Sequence, residues 1–342
     1  MSPKPPITGL SRRRWLAAVA LSATLAACAP MAPSPVADPL PSWNTGANKQ
    51  RIVDFVRAVG TEGSADYVKP ADRIAVFDND GTLWLEYPLY TQFRFVFDRI
   101  RELAPQHPEW QTQQPYQSVI AGDLKGAMAG GIKGMLELLG AAQSGLTPEQ
   151  LEAVVKRWID ASSDPRFKRP YTELTYQPMQ ELLRYLRANG FKTYIVSGGT
   201  VDFMRAFTAP VYGIPSEQVI GTRQKFAFEV KDGQPSVQML PQMEFNDDGP
   251  GKPVAIAALI GKRPIAAFGN SDGDFQMLQW TTAGAGKRLG MIVHHDDAQR
   301  EYAYDRDSSI GKLAAGLDQY QAMGWGLISM KNDWKIVFAP PK

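Results

Sequence analysis

The sequence predicts an α/β protein with a parallel sheet flanked by helices, and three observations carry that prediction. Four short apolar runs lack polar alternation: Ile74-Ala75-Val76-Phe77, Thr193-Tyr194-Ile195-Val196, Pro264-Ile265-Ala266-Ala267-Phe268 and Leu289-Gly290-Met291-Ile292-Val293. Strands buried on both faces read this way. Stretches of helical spacing separate the runs, and alternating strands and helices form a parallel sheet. The first three runs also end in polar and glycine residues, and such sheets bind ligands outside the carboxyl ends of their strands.

The chain has 342 residues, enough for one large domain or two ordinary ones. With 44% hydrophobic and 21% charged residues it has the composition of a soluble protein with a sizeable core. A net charge of +2, without a basic stripe, gives no case for nucleic acid. The single cysteine, Cys28, excludes an internal disulfide and cysteine-based zinc sites and, at that position, argues against thiol catalysis. Three histidines are too few for a histidine-rich metal centre, so the chemistry is sought among the carboxylates.

Residues 1–28 read as an export address. Ser11-Arg12-Arg13-Arg14-Trp15-Leu16 opens an apolar stretch to Ala27, too short for a mature bilayer span but suited to a signal core. The paired arginines resemble a twin-arginine (Tat) signal. Leu25-Ala26-Ala27-Cys28 resembles a lipobox, with an ordinary cleaved signal as the alternative; the sole cysteine stands where lipidation needs it. Residues 29–44 are proline-rich, a semi-rigid spacer. The expectation is a bacterial periplasmic protein tethered by a lipid on Cys28. The absence of aspartate after Cys28 favours the outer membrane.

Beyond the spacer, residues 49–59 carry apolar side chains at helical spacing. Residues 92–163 are helical throughout, with Gly130 to Gly134 as a soft spot and Thr147-Pro148 as an N-cap with proline in the first helical position. This block is too long for a crossover and reads as an insertion. Residues 179–189 form a helix stopped by Gly190, and Pro253 to Ile260 another. Phe226 to Val230 and Val237 to Leu240, joined through Lys231-Asp232-Gly233, form a hairpin.

The segments just past the strands make a phosphoryl-transfer site. The first strand leads into Asp78-Asn79-Asp80-Gly81-Thr82, the second into Ser197-Gly198-Gly199-Thr200, and the third into Gly269-Asn270-Ser271-Asp272-Gly273-Asp274; Lys252 precedes the third strand's helix. A carboxylate can attack phosphorus and split hydrolysis into two easier steps. Mg²⁺ with oxygen ligands bridges that carboxylate and the phosphate dianion that repels it. Hydroxyl, lysine and backbone N–H groups then hold the transferring oxygens.

These residues resemble the four ordered motifs of the haloacid dehalogenase superfamily: Asp78-Asn79-Asp80-Gly81-Thr82, Ser197, Lys252 and Gly269 to Asp274. The resemblance implies a Rossmann-like core over 45–90 and 173–342 with an inserted α-helical cap over 91–172. The hairpin makes it look closest to the phosphoserine-phosphatase-like branch. By position Asp78 is nucleophile and metal ligand, and Asp80 is general acid then base with its carbonyl on the metal. Thr82, Ser197 and Gly198 orient the phosphate, Lys252 neutralises charge, and Asn270 and Asp274 complete the Mg²⁺ ligands. The family's motif usually has aspartate at the position of Asn270, so this site has one charge fewer there, for which Asp272 is the candidate compensation unless it caps a helix.

Because Asp80 can protonate a leaving group, hydrolysis of a small phosphorylated metabolite is favoured over dehalogenation and over transport-ATPase chemistry. A phosphotransferase, or a tethered phosphate-ester-binding protein with little turnover, stands as the alternative. Glu86, near Tyr87, Tyr90, Phe93 and Phe95, is a substrate-binding candidate for a cationic group, against a hinge role. His294-His295-Asp296-Asp297 comes after the fourth strand; adjacent histidines point oppositely, so one is expected at the rim and an aspartate at a helix cap. Phe167-Lys168-Arg169 is read as a solvated loop rather than an anion-steering patch. No protein partner is inferred.

Overall fold

The computed structural model describes residues 38–341. The expected signal and lipidated Cys28 lie outside them, as does the spacer up to residue 37. The last part of the expected spacer is different: Leu40, Ser42 and Trp43 are buried. The Trp43 ring meets Trp334 edge-on at 6.1 Å, and Ser42 Oγ donates to Glu181 Oε1. Proline content drew the boundary at residue 44, but the apolar area of Leu40 and Trp43 draws the chain into the core several residues sooner.

The sheet contains β1 (Ile74–Phe77), β2 (Lys192–Thr200), β3 (Val219–Lys231), β4 (Gln234–Phe245), β5 (Ala266–Gly269), β6 (Leu289–Asp296), β7 (Ala303–Tyr304) and β8 (Gly326–Ser329). Its order is β4-β3-β2-β1-β5-β6-β7, with β8 also paired to β6. The β2-β1-β5-β6 centre is parallel, as are β2–β3 and β6–β8, while β3–β4 and β6–β7 are antiparallel. This is the mostly parallel, helix-flanked α/β architecture anticipated above.

Period-2 alternation sends successive side chains of β1 into two cores. Ala75 and Phe77 join the larger one, with α1 (Ala47–Gly60), α7 (Gln177–Ala188) and α8 (Val201–Tyr212). Ile74 and Val76 join the other, with α9 (Gly251–Leu259) and α10 (Phe275–Thr282). Both faces being covered, these strands need no polar positions, and Phe77 stacks on Phe268 of β5 at 4.6 Å.

Between β1 and β2 the chain is helical: α2 (Thr91–Leu103), α3 (Tyr116–Ala121), α4 (Leu124–Met128), α5 (Gly131–Gln143) and α6 (Pro148–Ala161). Thr147 and Gln150 form a reciprocal capping box at the start of α6, with Pro148 in the first turn. Packing of α5 on β4 and of α6 on α8 sets this block over the carboxyl-end side of the sheet. The described residues, 38–341, hold together as one unit. Among the described residues no helix is long and apolar enough to cross a membrane.

Several elements differ from expectation. The first half of β3 pairs with β2 through Ile195↔Val219, whereas the hairpin strand was expected to begin only at Phe226. A side chain at Gly221 would meet Gly199 O at 2.6 Å, so the backbones approach where sequence shows only a weak strand. The hairpin turn is Asp232-Gly233, both at positive φ (52° and 76°), which matches the twist of the strands. Neither α8 nor β8 has a sequence signal strong enough to anticipate, and α9 starts two residues early, which puts Lys252 in its first turn.

Candidate active site

Three strand ends converge. The Asp78 N–H, just past β1, donates to Phe268 O of β5 at 2.9 Å, and the chain then turns so that Gly81 N–H donates to Trp84 O at 2.9 Å. Gly81 has φ 71°, and a Cβ there would lie 2.1 Å from Asn270 Nδ2 and 2.4 Å from Glu86 Oε1. Positive φ and absence of space both require glycine. Gly81→Ala is therefore expected to cost roughly 2–3 kcal/mol and to lower turnover on the order of 10²-fold by displacing Asp80. Urea denaturation and initial rates check this, and a wild-type midpoint would refute the packing argument.

A cavity of about 380 Å³ opens here, lined by Asp78, Asp80, Glu86, Ser197, Gly198 and Lys252 among others. Six of the nine residues expected at the site thus share one space. Lys252 Nζ donates to Val196 O at 3.0 Å and to Asp274 Oδ1 at 2.5 Å, and lies 2.9 Å from Asp78 Oδ1. The last is an ion-pair contact without hydrogen-bond geometry, so Asp78 Oδ1 is buried with no hydrogen bond. Burial, then the Asp274 charge, push the Asp78 carboxyl up to about 7 against the pull of Lys252, with Asp80 adding to the rise. Burial opposes the charge on Lys252, but Asp274 and Asp78 outweigh it and hold the ammonium above its usual range.

Asp80 is raised by burial to about 6, opposed by a hydrogen bond from Trp84 and by Lys252. Trp84 Nε1 donates to Asp80 Oδ1 at 2.7 Å, and its ring stacks on Phe207 of α8 at 4.6 Å. The general-acid candidate is therefore aimed by a rigid, buried indole that the motif alone did not single out.

The remaining three expected residues stand behind the cavity wall. Thr82 is fully buried and its hydroxyl donates to Asn270 Oδ1 at 3.0 Å; it does not line the cavity. Asn270 Nδ2 donates in turn to Glu86 Oε1 at 2.7 Å. Asp274 Oδ2 accepts from the Asn270 and Ser271 N–H groups at 2.9 and 3.1 Å, and its other oxygen takes Lys252. Asp272 does not turn to this centre: its carboxylate accepts from the N–H groups of Ala314 and Gly316 at the start of α11 (Ala315–Gln319). The helix-cap role is the one the structure shows, at α11 rather than at α10, the helix that follows Asp272 in the chain.

Glu86 is buried, and Tyr304 OH donates to its Oε1 at 2.9 Å beside Asn270 Nδ2. Burial and then Asp80 keep its carboxyl well above the usual range, despite the hydrogen bond from Tyr304.

The two histidines do point apart. His294 pairs with Asp305 at 3.2 Å. His295 is buried against the Asp78–Thr82 loop instead of at the rim; its Nε2 donates to Gly81 O at 2.8 Å, and Nδ1 faces Glu301 Oε2 at 3.1 Å. A carbonyl accepts only, so Nε2 carries a proton. Asp296 caps α12 (Met330–Asp333) through Lys331 N–H, and Asp297 caps its own turn at Arg300 N–H.

Asp247 also escaped the motif reading. It is fully buried with neither carboxyl oxygen hydrogen-bonded, and burial raises it to about 8 against Lys252, with Asp78 contributing. Phe167, Lys168 and Arg169 do not line the cavity; Arg169 pairs with Glu173 at 3.3 Å. At the opposite end of the strands a cleft of about 430 Å³ contains Lys262, Arg263, Lys287 and Arg288. These are already bound to Asp72, Trp280 O, Asp66 and Pro264 O, respectively.

Solved structures similar to this chain are of low identity, and the first of them shares its fold. A conserved, functionally unknown protein from Anaerococcus prevotii DSM 20548 is 18% identical with TM-score 0.51, over 73% of this chain and 86% of that one. A phosphoserine phosphohydrolase-like protein from Francisella tularensis subsp. tularensis SCHU S4 is 18% identical with TM-score 0.36, over 66% and 89%. A probable phosphoserine phosphatase from Vibrio cholerae is 18% identical with TM-score 0.34, over 67% and 58%. No curated protein matches the sequence. The model of the haloacid dehalogenase-like hydrolases matches residues 75–279, more than half of the chain and the span holding all four strand-end motifs; this protein belongs to that family.

Proposed function

We propose that this protein hydrolyses a small phosphate monoester with Asp78 as nucleophile, Asp80 as acid then base, and Mg²⁺ as its cation. One observation carries the reading: a buried carboxylate oxygen without a hydrogen bond at the floor of a cavity, ion-paired to Lys252 and beside a second, indole-held carboxyl. Asp78 attacks phosphorus while the P–O bond to the leaving group breaks, and Asp80 supplies the leaving oxygen's proton. Asp80 then takes a proton from water, whose oxygen attacks phosphorus. The acyl-phosphate P–O bond breaks, releasing inorganic phosphate and restoring Asp78. Ser197 and the backbone at Gly198 line the space for the phosphoryl oxygens, and Lys252 offsets their charge.

The donor set fits a hard cation. Asp78, the Asp80 main-chain carbonyl and Asn270 would hold Mg²⁺ through oxygen alone, whereas Asp274, also expected as a ligand, has its oxygens engaged by Lys252 and by the Asn270 and Ser271 N–H groups and serves to hold the lysine. Among the described residues no three His, Cys, Asp or Glu side chains converge as a metal cluster. Burial first, then the Asp274 and Asp80 charges, raise Asp78, and a divalent cation bound there would offset that penalty on its charged form. Thr82 and Glu86 hold the Asn270 amide, so its carbonyl would stand in for the usual carboxylate without being free to rotate.

Phosphate release from p-nitrophenyl phosphate tests the reaction: turnover with Mg²⁺ and none with EDTA is expected. A folded, Mg²⁺-supplied chain without turnover would favour the phosphate-ester-binding alternative. The same reading keeps the protein exported and lipid-anchored on Cys28, supported by the arginine pair and by the position of the sole cysteine. Labelled fatty acid is expected on the wild type and not on Cys28→Ser; equal labelling of both would sink the anchor.

A further inference from the structure

The cavity beyond the reacting centre has a composition that restricts the leaving group. Phe93 of α2, Met128 of α4, Met135, Leu136 and Leu139 of α5, Met243 of β4 and Ile310 line it, and its uncharged polar residues include Gln92, Thr222, Asn246 and Ser309. Tyr90 lines it too, with its ring edge-on to Phe93 at 5.9 Å. The volume of about 380 Å³ lies in the range of sites for small organic molecules.

Charge is distributed unevenly in this space. Among the described lining residues Lys252 is the one basic side chain, and Asp78 and Asp274 already engage it. Four acids line the cavity: Asp78, Asp80, Glu86 and Asp248. Glu86 Oε1 is taken by Asn270 Nδ2 and Tyr304 OH, and Asp248 stands at the exposed end.

We infer that the alcohol carried by the phosphate is uncharged and apolar, so that the substrates are alkyl or aryl monophosphates. This rests on the phosphatase reading above. A carboxylate or second phosphate on the leaving group would lose water and meet acids with no free cation to pair with. An ammonium group would have to leave water against methionine, leucine and phenylalanine side chains, because Asp78 and Asp80 face the phosphoryl group, Glu86 Oε1 is engaged by Asn270 and Tyr304, and Asp248 stands at the exposed end. An apolar chain or ring needs only the surface these side chains offer, and its transfer from water is favourable. The same wall separates this site from one built for an amino-acid phosphate, which needs a cation for the carboxylate.

The test compares hexyl phosphate, O-phosphoserine and phosphocholine with the full-length, Mg²⁺-supplied protein. All three are alkyl esters, so intrinsic leaving-group reactivity does not favour hexyl phosphate. With each buried methylene worth roughly 10-fold or more in discrimination, kcat/KM for hexyl phosphate is expected to exceed both others by about 10²-fold or more. Leu136→Arg puts a cation on a half-buried wall position and is expected to cut the hexyl-to-phosphoserine ratio at least about 10-fold. Met128→Arg, also half-buried, repeats the measurement if the first variant does not fold. Preference for phosphoserine or phosphocholine, or equal rates on all three, overturns the inference while leaving the phosphatase reading intact. No turnover of these or of p-nitrophenyl phosphate overturns that reading, and the inference with it.

Discussion

Lys252→Met is expected to destabilise the metal-free protein by about 3–5 kcal/mol and to abolish phosphate release. The lysine is 1% exposed and lies within 2.9 Å of Asp78 and 2.5 Å of Asp274, both buried. Methionine keeps most of the stem's volume, so the loss reports charge rather than a cavity. Removing one partner of a buried pair leaves the other uncompensated, and here two carboxylates are left together. Urea denaturation in EDTA measures the change; a loss below about 1 kcal/mol would mean that the carboxylates relax by taking up protons. Added Mg²⁺ is expected to recover part of the stability, because a ligand that binds only the folded state stabilises it by mass action.

Asp78→Asn is expected to lower phosphate release on the order of 10⁴-fold or more, as removal of a covalent nucleophile does. Its stability should not fall. The amide has the same shape and removes a buried negative charge placed near Asp274 and Asp80, while Lys252 keeps its bond to Asp274. Initial rates and the thermal midpoint separate the two effects. Activity retained above about 1% of wild type, in a protein free of deamidation, would falsify the assignment of the nucleophile. Together the two variants separate roles: Lys252 contributes to stability and to turnover, Asp78 to turnover alone.

How much of this was legible varies by residue. Asp78, Asp80 and Ser197 were readable because backbone geometry places the end of a buried strand: a polar residue just past the last apolar one must lie at the sheet's carboxyl edge; Lys252, in the first turn of α9, was readable through the order of the motifs. Thr82 and Asn270 were readable as part of the site, but not as a hydrogen-bonded pair behind it. Trp84 is four residues from Asp80 in the chain, and only the turn at Gly81 brings its indole to the carboxyl. His295, with Glu301 at its Nδ1, reaches Gly81 O from more than 200 residues away, through the pairing of β6 with β5 and of β5 with β1. The spacer's end at Leu40 and the pairing of Val219 with β2 depend in the same way on partners distant in sequence.

The sequence by itself determined the fold class, the order of the motifs and the reactive residue types, because strand burial and side-chain chemistry are local properties. Tertiary structure alone decided which groups touch. Asp272 became a helix cap, Glu86 was tied to Asn270 and Tyr304, and Asp247 was buried without a partner. The apolar wall drawn from α2, α4, α5 and β4 is likewise a tertiary fact. Methionine and leucine at helical spacing read as core in any helix, and only the packing of that helical block over the strand ends turns them towards a substrate.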